Sequence, residues 1–205
     1  MTKIKLCGLT RPADIAAANE LRPDYIGFVF APQSKRHVSG AVAAELRRAL
    51  RPDIRAVGVF VDEEIETVAR LLRSGIIDIA QLHGREGDDY IRRLQDATGQ
   101  PVIKAFRVES PRSLEDAAAS AAGHILLDAG AGEGRAFDWQ LLRDFPRPYF
   151  LAGGLTPANA ADAVRQLHPC ALDVSSGVET GGRKDKEKMA AFVAAVRKED
   201  GYEQP

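Results

Sequence analysis

Eight short apolar runs, helical patterns between them and the lack of a linker predict an α/β protein, a single-domain (β/α)8 TIM barrel. The runs are rich in Ile, Val and Phe and mostly lack polar alternation, as expected of parallel strands buried on both faces. They recur every ~20–30 residues, which is the size of a βα unit. The predicted strands occupy residues 4–6, 25–30, 56–61, 77–82, 102–106, 124–127, 149–152 and 171–174.

Apolar residues between the runs recur at helical spacing. Three clear stripes span residues 65–72, 160–167 and 189–196, and each predicts a helix that packs its apolar side on the sheet. Ser110 and Thr156, each followed by proline, are typical of an N-cap with proline at the first helical position. We therefore expect helices to begin at these two points.

A closed barrel is favoured over an open doubly wound sheet, which needs fewer strands and usually a Gly-rich dinucleotide turn after the first one. The turn that follows Cys7 does not have that pattern. We expect one domain over residues 1–200 and a frayed tail over 201–205. Because loops after every barrel strand converge on one rim, residues just past the strand ends are candidates for a single site.

Composition and charge exclude several classes of function. With 28 Lys+Arg and 29 Asp+Glu the net charge is −1, so no basic excess indicates nucleic acid or an anionic membrane as partner. We expect no secretory signal and no membrane span, because no apolar run is long enough. The two cysteines form no disulfide framework, CxxC pair or zinc pattern, and we expect a cytoplasmic protein.

Two strand ends carry candidates for proton transfer. Cys7 closes the first run, and its thiol can accept a proton if its surroundings lower the pKa; the alternative is a buried, inert thiol. Asp128 closes the sixth run as a candidate general acid or base, or as the start of an Asx-turn. The glycines of the segment 129–136 that follows indicate a closely approaching loop or a lid.

Other polar residues follow the second and fourth strands. Arg36, between Lys35 and His37, can hold a carboxylate through two parallel hydrogen bonds, although the basic trio can equally be a solvated loop. Gln81 and His83 point to the same side of their strand. They need hydrogen-bond partners, which either a ligand or the pair itself can supply.

Small residues after the seventh and eighth strands predict a phosphate site. Gly153 and Gly154 allow backbone N–H groups to approach an anion, and Ser175, Ser176 and Gly177 offer a second set of donors. Phosphate sites of (β/α)8 barrels favour these two loops. We therefore expect a phosphorylated ligand, bound by N–H dipoles without need of a net basic charge.

In these segments the chain resembles the phosphoribosylanthranilate isomerase family of tryptophan biosynthesis, and the similarity covers nearly the whole chain. The most specific segments are KLCGLT, QLHG and DVSSGVE. The full set of similar segments is residues 5–10, 27–30, 34–36, 57–61, 81–84, 126–128, 137–139, 152–155 and 173–179.

The resemblance implies a cofactor-free Amadori rearrangement of N-(5-phosphoribosyl)anthranilate to 1-(2-carboxyphenylamino)-1-deoxyribulose 5-phosphate, the third step of the tryptophan branch from chorismate. It implies that Cys7 is the general base at C2′, that Asp128 is the general acid at the furanose oxygen, and that Arg36 holds the anthranilate carboxylate. The two glycine and serine loops would hold the 5′-phosphate. The implied pocket lining includes Gln81, His83 and Asp173.

This chemistry sets further expectations. An ordinary thiol is mostly protonated at neutral pH, so we expect the surroundings of Cys7 to stabilise its thiolate, through helix dipoles at the rim. One acid and one base need neither a metal nor a cofactor. The expected partner is a small molecule, a phosphoribosylated anthranilate, and the protein is expected to be a monomer or a homodimer.

Three alternatives remain beside this interpretation. Indole-glycerol-phosphate synthase would need a lysine acid at a strand end, whereas the third strand here ends in Phe60, Val61 and Asp62. The related histidine-pathway isomerase would need Asp in place of Cys7. A non-catalytic sugar-phosphate-binding barrel would keep the phosphate loops but would have no need for Cys7 and Asp128 together.

Overall fold

The computed structural model describes residues 1–130 and 139–201. Eight parallel strands follow one another in sequence order and close into a barrel, because the last strand pairs with the first. The predicted (β/α)8 barrel is therefore confirmed, and each predicted strand overlaps an observed one. The strands are β1 (Lys3–Cys7), β2 (Tyr25–Val29), β3 (Arg55–Phe60), β4 (Ile79–Leu82), β5 (Val102–Arg107), β6 (His124–Asp128), β7 (Tyr149–Ala152) and β8 (Ala171–Val174).

Seven α-helices accompany the strands in the part of the chain that the structure describes. Between β6 and β7 that part holds a short 3-10 helix, Trp139–Leu142, where the repeating pattern predicts an α-helix. The predicted lid beyond residue 130 and the predicted tail beyond residue 201 lie outside the described residues. The helices are α1 (Pro12–Leu21), α2 (Gly40–Ala49), α3 (Ile65–Arg73), α4 (Asp88–Thr98), α5 (Pro111–Ala119), α6 (Ala160–Leu167) and α7 (Lys186–Glu199).

One of the two expected helix starts is confirmed and the other is displaced. Ser110 is the N-cap of α5, with proline in its first turn. Regular α-helix in α6 begins only at Ala160, because residues 157–159 form a turn. The Thr156 carbonyl accepts hydrogen bonds from the N–H groups of Asn159 (3.3 Å) and Ala160 (3.1 Å), and the Asn159 side chain accepts from the Thr156 N–H (2.8 Å). The prediction for Thr156 was therefore wrong by one turn.

The alternation of side chains along the strands divides the interior in two. Outward residues pack with the helices in the main core, and a smaller apolar cluster around Ile79, Ile103 and Phe150 fills the barrel itself. Near the carboxyl ends of the strands the inward positions become polar, with Lys5 and Asp173 both buried there. The polar side chains inside the barrel therefore lie at the rim where the sequence predicts the site.

Replacement of Phe192 on α7, which is completely buried in the main core, tests this packing. Phe192→Ala should lower the free energy of unfolding by about 3–5 kcal/mol, because it leaves a cavity that the fold fills only in part. Urea denaturation followed by circular dichroism measures the change. The matched control is Leu141→Ala, at a side chain that is 47 % exposed, with an expected change within about 0.5 kcal/mol. Equal losses in both variants would contradict the assigned core.

Candidate active site

A cavity of about 340 Å³ opens at the carboxyl ends of the strands. Every predicted site residue except Gly177 lines it, so residues far apart in sequence are brought to one place. The lining includes both Cys7, the last residue of β1, and Asp128, the last residue of β6. The lining residues are Cys7, Val29, Ser34, Arg36, Val59, Gln81, His83, Asp128, Gly130, Ala152, Gly153, Gly154, Leu155, Asp173, Ser175 and Ser176.

Asp128, His83 and Gln81 form a chain of contacts along one wall. His83 Nε2 lies 3.4 Å from Asp128 Oδ2, and Gln81 Nε2 lies 3.2 Å from His83 Nδ1. Because an amide nitrogen only donates, His83 Nδ1 accepts and Nε2 carries the proton that faces Asp128. Gln81 Oε1 is buried without a partner among the described residues, so the polar pair is only partly self-satisfied and retains a free acceptor.

The second oxygen of Asp128 closes a local turn. Asp128 Oδ1 accepts the Gly130 N–H at 2.8 Å, which is the expected Asx-turn. Burial alone would raise the pKa of this carboxyl, but the hydrogen bonds from His83 and from the Gly130 N–H outweigh it and lower the pKa below its ordinary value. Asp128 is therefore ionised at neutral pH in the free protein.

Cys7 contradicts the expectation of a lowered pKa. Its thiol is 8 % exposed, and this burial raises the pKa above the ordinary value, although the nearby Lys5 ammonium lowers it in part. The prediction was wrong because withdrawal from water disfavours the thiolate more strongly than the neighbouring cations favour it. In the free protein Cys7 is a neutral thiol.

Arg36 is held by a carboxylate of its own chain. Glu179 accepts from Arg36 Nε at 2.6 Å and from Nη2 at 2.8 Å, and Lys184 Nζ donates to the same Glu179 oxygen at 2.6 Å. These two cations outweigh the effect of burial and lower the pKa of Glu179 to about 2. The two hydrogen bonds from Arg36 to Glu179 fix the guanidinium plane and leave Arg36 Nη1 without a partner among the described residues.

The loop after β8 is also tied to the end of β1. Ser175 Oγ donates to the Cys7 carbonyl at 3.1 Å, and Lys184 Nζ donates to the Ser175 carbonyl at 2.9 Å. The backbone N–H groups of Gly154 and Ser176 have no partner within the described residues, and both residues line the cavity. They are therefore available to an anion.

Gly177 occupies a different position from the other predicted phosphate residues. It lies in a short 3-10 helix, Ser176–Val178, that follows β8. A Cβ atom at this position would lie 1.8 Å from the Leu155 carbonyl oxygen. Gly177 thus allows the loops after β7 and β8 to touch, and its predicted role as a donor stays a prediction.

Three site residues were not found from the sequence. Lys5 beneath Cys7 had one available signal, a lysine that alternates with the cysteine on the same side of an apolar strand. Glu179 and Lys184 had none, since Glu179 lies 143 residues from Arg36 in sequence and only the fold brings the two together. Lys184 belongs to a small hairpin of Glu179–Thr180 (β9) and Arg183–Lys184 (β10) that follows the eighth strand.

The described residues contain no group of three or more His, Cys, Asp or Glu side chains placed to hold a metal ion. Nor does any helix among them have the length and apolar character to cross a membrane. A thiol and a carboxylate on one cavity, with two loops that offer free N–H groups and a fixed guanidinium beside them, define a (β/α)8 barrel equipped for acid–base chemistry on a small anionic ligand.

Comparison with known proteins narrows this class. The family model described as N-(5'phosphoribosyl)anthranilate (PRA) isomerase matches residues 4–195. The N-(5'-phosphoribosyl)anthranilate isomerase of Endomicrobium trichonymphae is 43% identical over 202 residues, covering 96% of this chain and 99% of its own. That of Acetivibrio thermocellus is 42% identical, with 98% of each chain covered. This chain therefore belongs to the PRA isomerase family.

Solved structures agree with this assignment. The crystal structure of phosphoribosyl anthranilate isomerase from Thermotoga maritima superposes with a TM-score of 0.90 at 36% identity, covering 97% of this chain and 100% of that one. A phosphoribosyl anthranilate isomerase in complex with reduced 1-(o-carboxyphenylamino)-1-deoxyribulose 5-phosphate gives a TM-score of 0.87 with the same identity and coverage.

The predicted phosphate site at the contact between the loops after β7 and β8 can be tested at Gly177. Gly177→Ala should raise the Kd for inorganic phosphate at least about tenfold, because the added methyl group forces the loops apart and displaces their N–H donors. A thermal-shift titration with phosphate measures the affinity. Gly123→Ala is the matched control, since a Cβ there meets no atom within 4 Å, and it should bind phosphate normally. Normal phosphate affinity in folded Gly177→Ala would disprove this reading of the loops.

Proposed function

We propose that this protein isomerises N-(5'-phosphoribosyl)anthranilate to 1-(2-carboxyphenylamino)-1-deoxyribulose 5-phosphate by acid–base catalysis in the rim cavity. The observation that carries the proposal is that the Cys7 thiol and the Asp128 carboxyl open on the same cavity. Supporting it, a solved relative holds the reduced form of this product on the same fold. The volume of about 340 Å³ suits a small-molecule ligand.

Two anion sites would hold the substrate. The free N–H groups of Gly154 and Ser176 would bind the 5′-phosphate as fixed dipoles. Arg36 would bind the anthranilate carboxylate through the part of its guanidinium that Glu179 leaves free. Because Glu179 already fixes the plane of Arg36, the substrate would meet a guanidinium that loses little further freedom on binding.

The reaction would then need two proton transfers. Asp128 gives a proton to the furanose oxygen, the C1′–O bond breaks, and the anilino nitrogen lone pair forms the C1′=N bond of an iminium ion. Cys7 takes the proton from C2′, the electron pair of that C–H bond forms a C1′=C2′ bond, and the π pair of the C1′=N bond returns to the nitrogen to give a neutral enolamine. The enolamine tautomerises to the ketone, so substrate and product have the same atoms.

The protonation states of the free protein are the reverse of those that the reaction uses, since Asp128 is ionised and Cys7 is neutral. Moving one proton from Cys7 to Asp128 produces the reactive form without exchange with solvent. The ligand favours this shift at Asp128, because its negative charge and the displacement of water both raise the pKa of a carboxyl. A thiol base has to stay reduced, which fits action in the cytoplasm.

Turnover by three variants tests the catalytic pair. Cys7→Ala and Asp128→Asn should each lower kcat by about 10²–10⁴, the usual scale for loss of a general base or acid. The assay follows the loss of anthranilate fluorescence during conversion. Cys170→Ala is the control, because this second thiol adjoins the start of β1, at the other end of the barrel, and the variant should keep full activity.

Two outcomes would contradict the assignment. Wild-type turnover in Cys7→Ala would remove the thiol from the mechanism, and a raised KM with unchanged kcat in Asp128→Asn would make Asp128 a binding residue. Undiminished fluorescence with the unmodified protein would favour the alternative, a non-catalytic sugar-phosphate-binding barrel.

Binding by Arg36 can be tested separately from chemistry. Arg36→Ala should weaken binding of a carboxylate-bearing product analogue by about 10–100-fold, because a charge-assisted pair is lost from a partly buried site. Isothermal titration calorimetry measures the Kd. An analogue without the carboxylate should bind both proteins equally well. An equal loss of affinity for both analogues would show that the variant damages the cavity as a whole.

A further inference from the structure

A fully buried lysine lies on the same side of β1 as the proposed base. Lys5 precedes Cys7 by two residues, so both side chains point into the barrel, and the lysine is 0% exposed. Its ammonium contacts both oxygens of Asp173, at 3.0 and 2.9 Å. Asp173 lies directly opposite Lys5 in the register of β1 with β8, where the last strand closes the barrel on the first.

A glycine on the other neighbouring strand leaves the thiol and the ammonium next to each other. Gly27 of β2 lies opposite Cys7 in the register. A Cβ atom at Gly27 would lie 2.6 Å from Cys7 Sγ and 3.2 Å from Lys5 Nζ. Both side chains therefore pack on the same spot of bare backbone, and any larger residue at position 27 would displace one of them.

Stability alone gives weak grounds for such an arrangement. A buried ion pair loses about as much solvation as it gains in attraction, so a well-packed apolar pair is usually as stable. Tyr25, which lies opposite Lys5 on β2, has its hydroxyl bonded to Lys3, so Asp173 and Cys7 are the polar groups that act on the Lys5 ammonium among the described residues. The thiol is the neighbour whose chemistry a buried positive charge would alter most.

We infer that Lys5 is a positioning residue for the base: its buried ammonium, anchored by Asp173, stabilises and orients the thiolate of Cys7. The inference rests on the proposed function, in which Cys7 removes the C2′ proton. Lys5 itself is fully buried and is not among the residues that line the cavity. It acts through the thiol. Its positive charge supplies the stabilisation of the thiolate that the sequence analysis expected from helix dipoles.

The other charges that face Cys7 come from three further elements. Asp173 of β8 opposes the thiolate, whereas Lys184 of β10 and Arg36, after β2, favour it. All three cations are paired with carboxylates, and Lys5 is the one that packs beside the thiol at Gly27. Burial holds the pKa of Cys7 above its ordinary value, and removal of Lys5 would raise that pKa further.

Alkylation of the ligand-free protein by iodoacetamide tests the inference without reference to activity. The reagent reacts with thiolate, so the pH at half-maximal rate reports the thiol pKa, and a Cys170→Ala background leaves Cys7 as the only target. Lys5→Gln with Asp173→Asn removes both buried charges together. The midpoint should rise, because Lys5 acts on the thiol more strongly than Asp173 opposes it, and the basic limb of kcat/KM, which reports the higher of the two pKa values, should move with it.

Two further variants test the direction of the midpoint shift and whether the shift is specific to the Lys5–Asp173 pair. Asp173→Asn alone leaves the ammonium unopposed and should lower the midpoint, which gives an independent test if the double variant does not fold. Lys104→Met is the matched control, because Lys104 is also buried and paired with a carboxylate, Glu86, but faces away from the barrel interior. Its midpoint should stay at the wild-type value.

The outcomes separate the two proposals. A midpoint that stays unchanged in the folded Lys5 and Asp173 variants would overturn the inference, even if Cys7→Ala is inactive. Midpoints that move in opposite directions as stated would support the charge coupling. An active Cys7→Ala beside those shifts would refute the proposed role of Cys7 as base, and with it the positioning role of Lys5 in the reaction.

Discussion

Closure of the sheet by the pairing of β8 with β1 is the constraint on which the site depends. It brings residue 173 beside residue 5 and the loop after β8 beside the end of β1, where Ser175 bonds to the Cys7 carbonyl. An open sheet of the same strands would leave these two ends on opposite edges. The candidate base, its neighbouring charges and the loop after β8 would then not lie together.

The charged groups of the rim are arranged as cations held by internal carboxylates. Asp173 holds Lys5 inside the barrel, and Glu179 holds both Arg36 and Lys184 beside the cavity. Each carboxylate lowers the cost of burying a positive charge and fixes its direction. The three-residue group around Glu179 keeps a net positive charge, which suits an anionic ligand. The site can therefore attract anions although the whole chain carries a net charge of −1.

Solvent exclusion raises the pKa of both groups proposed for proton transfer, but it prevails at only one of them. At Cys7 burial prevails and keeps the thiol neutral, whereas at Asp128 the hydrogen bonds from His83 and Gly130 prevail and keep the carboxylate ionised. The difference lies in donors: Asp128 has two that point at its oxygens, and the thiol is surrounded mainly by Val29, Ala31 and Val59. A bound ligand changes both environments, and this links binding to chemistry.

The sequence by itself determined the barrel, the strands and the face on which each inward residue lies, because apolar runs and a period of two are local properties of the chain. It also predicted that Cys7, Asp128 and Arg36 lie at one rim, since the carboxyl ends of all the barrel strands meet there. Only the tertiary structure decided the partners and the protonation states. Glu179 meets Arg36 across 143 residues, and the pKa of Cys7 depends on burial that no local pattern reveals. Long-range contact and desolvation arise from packing, and packing exists only once the barrel has closed.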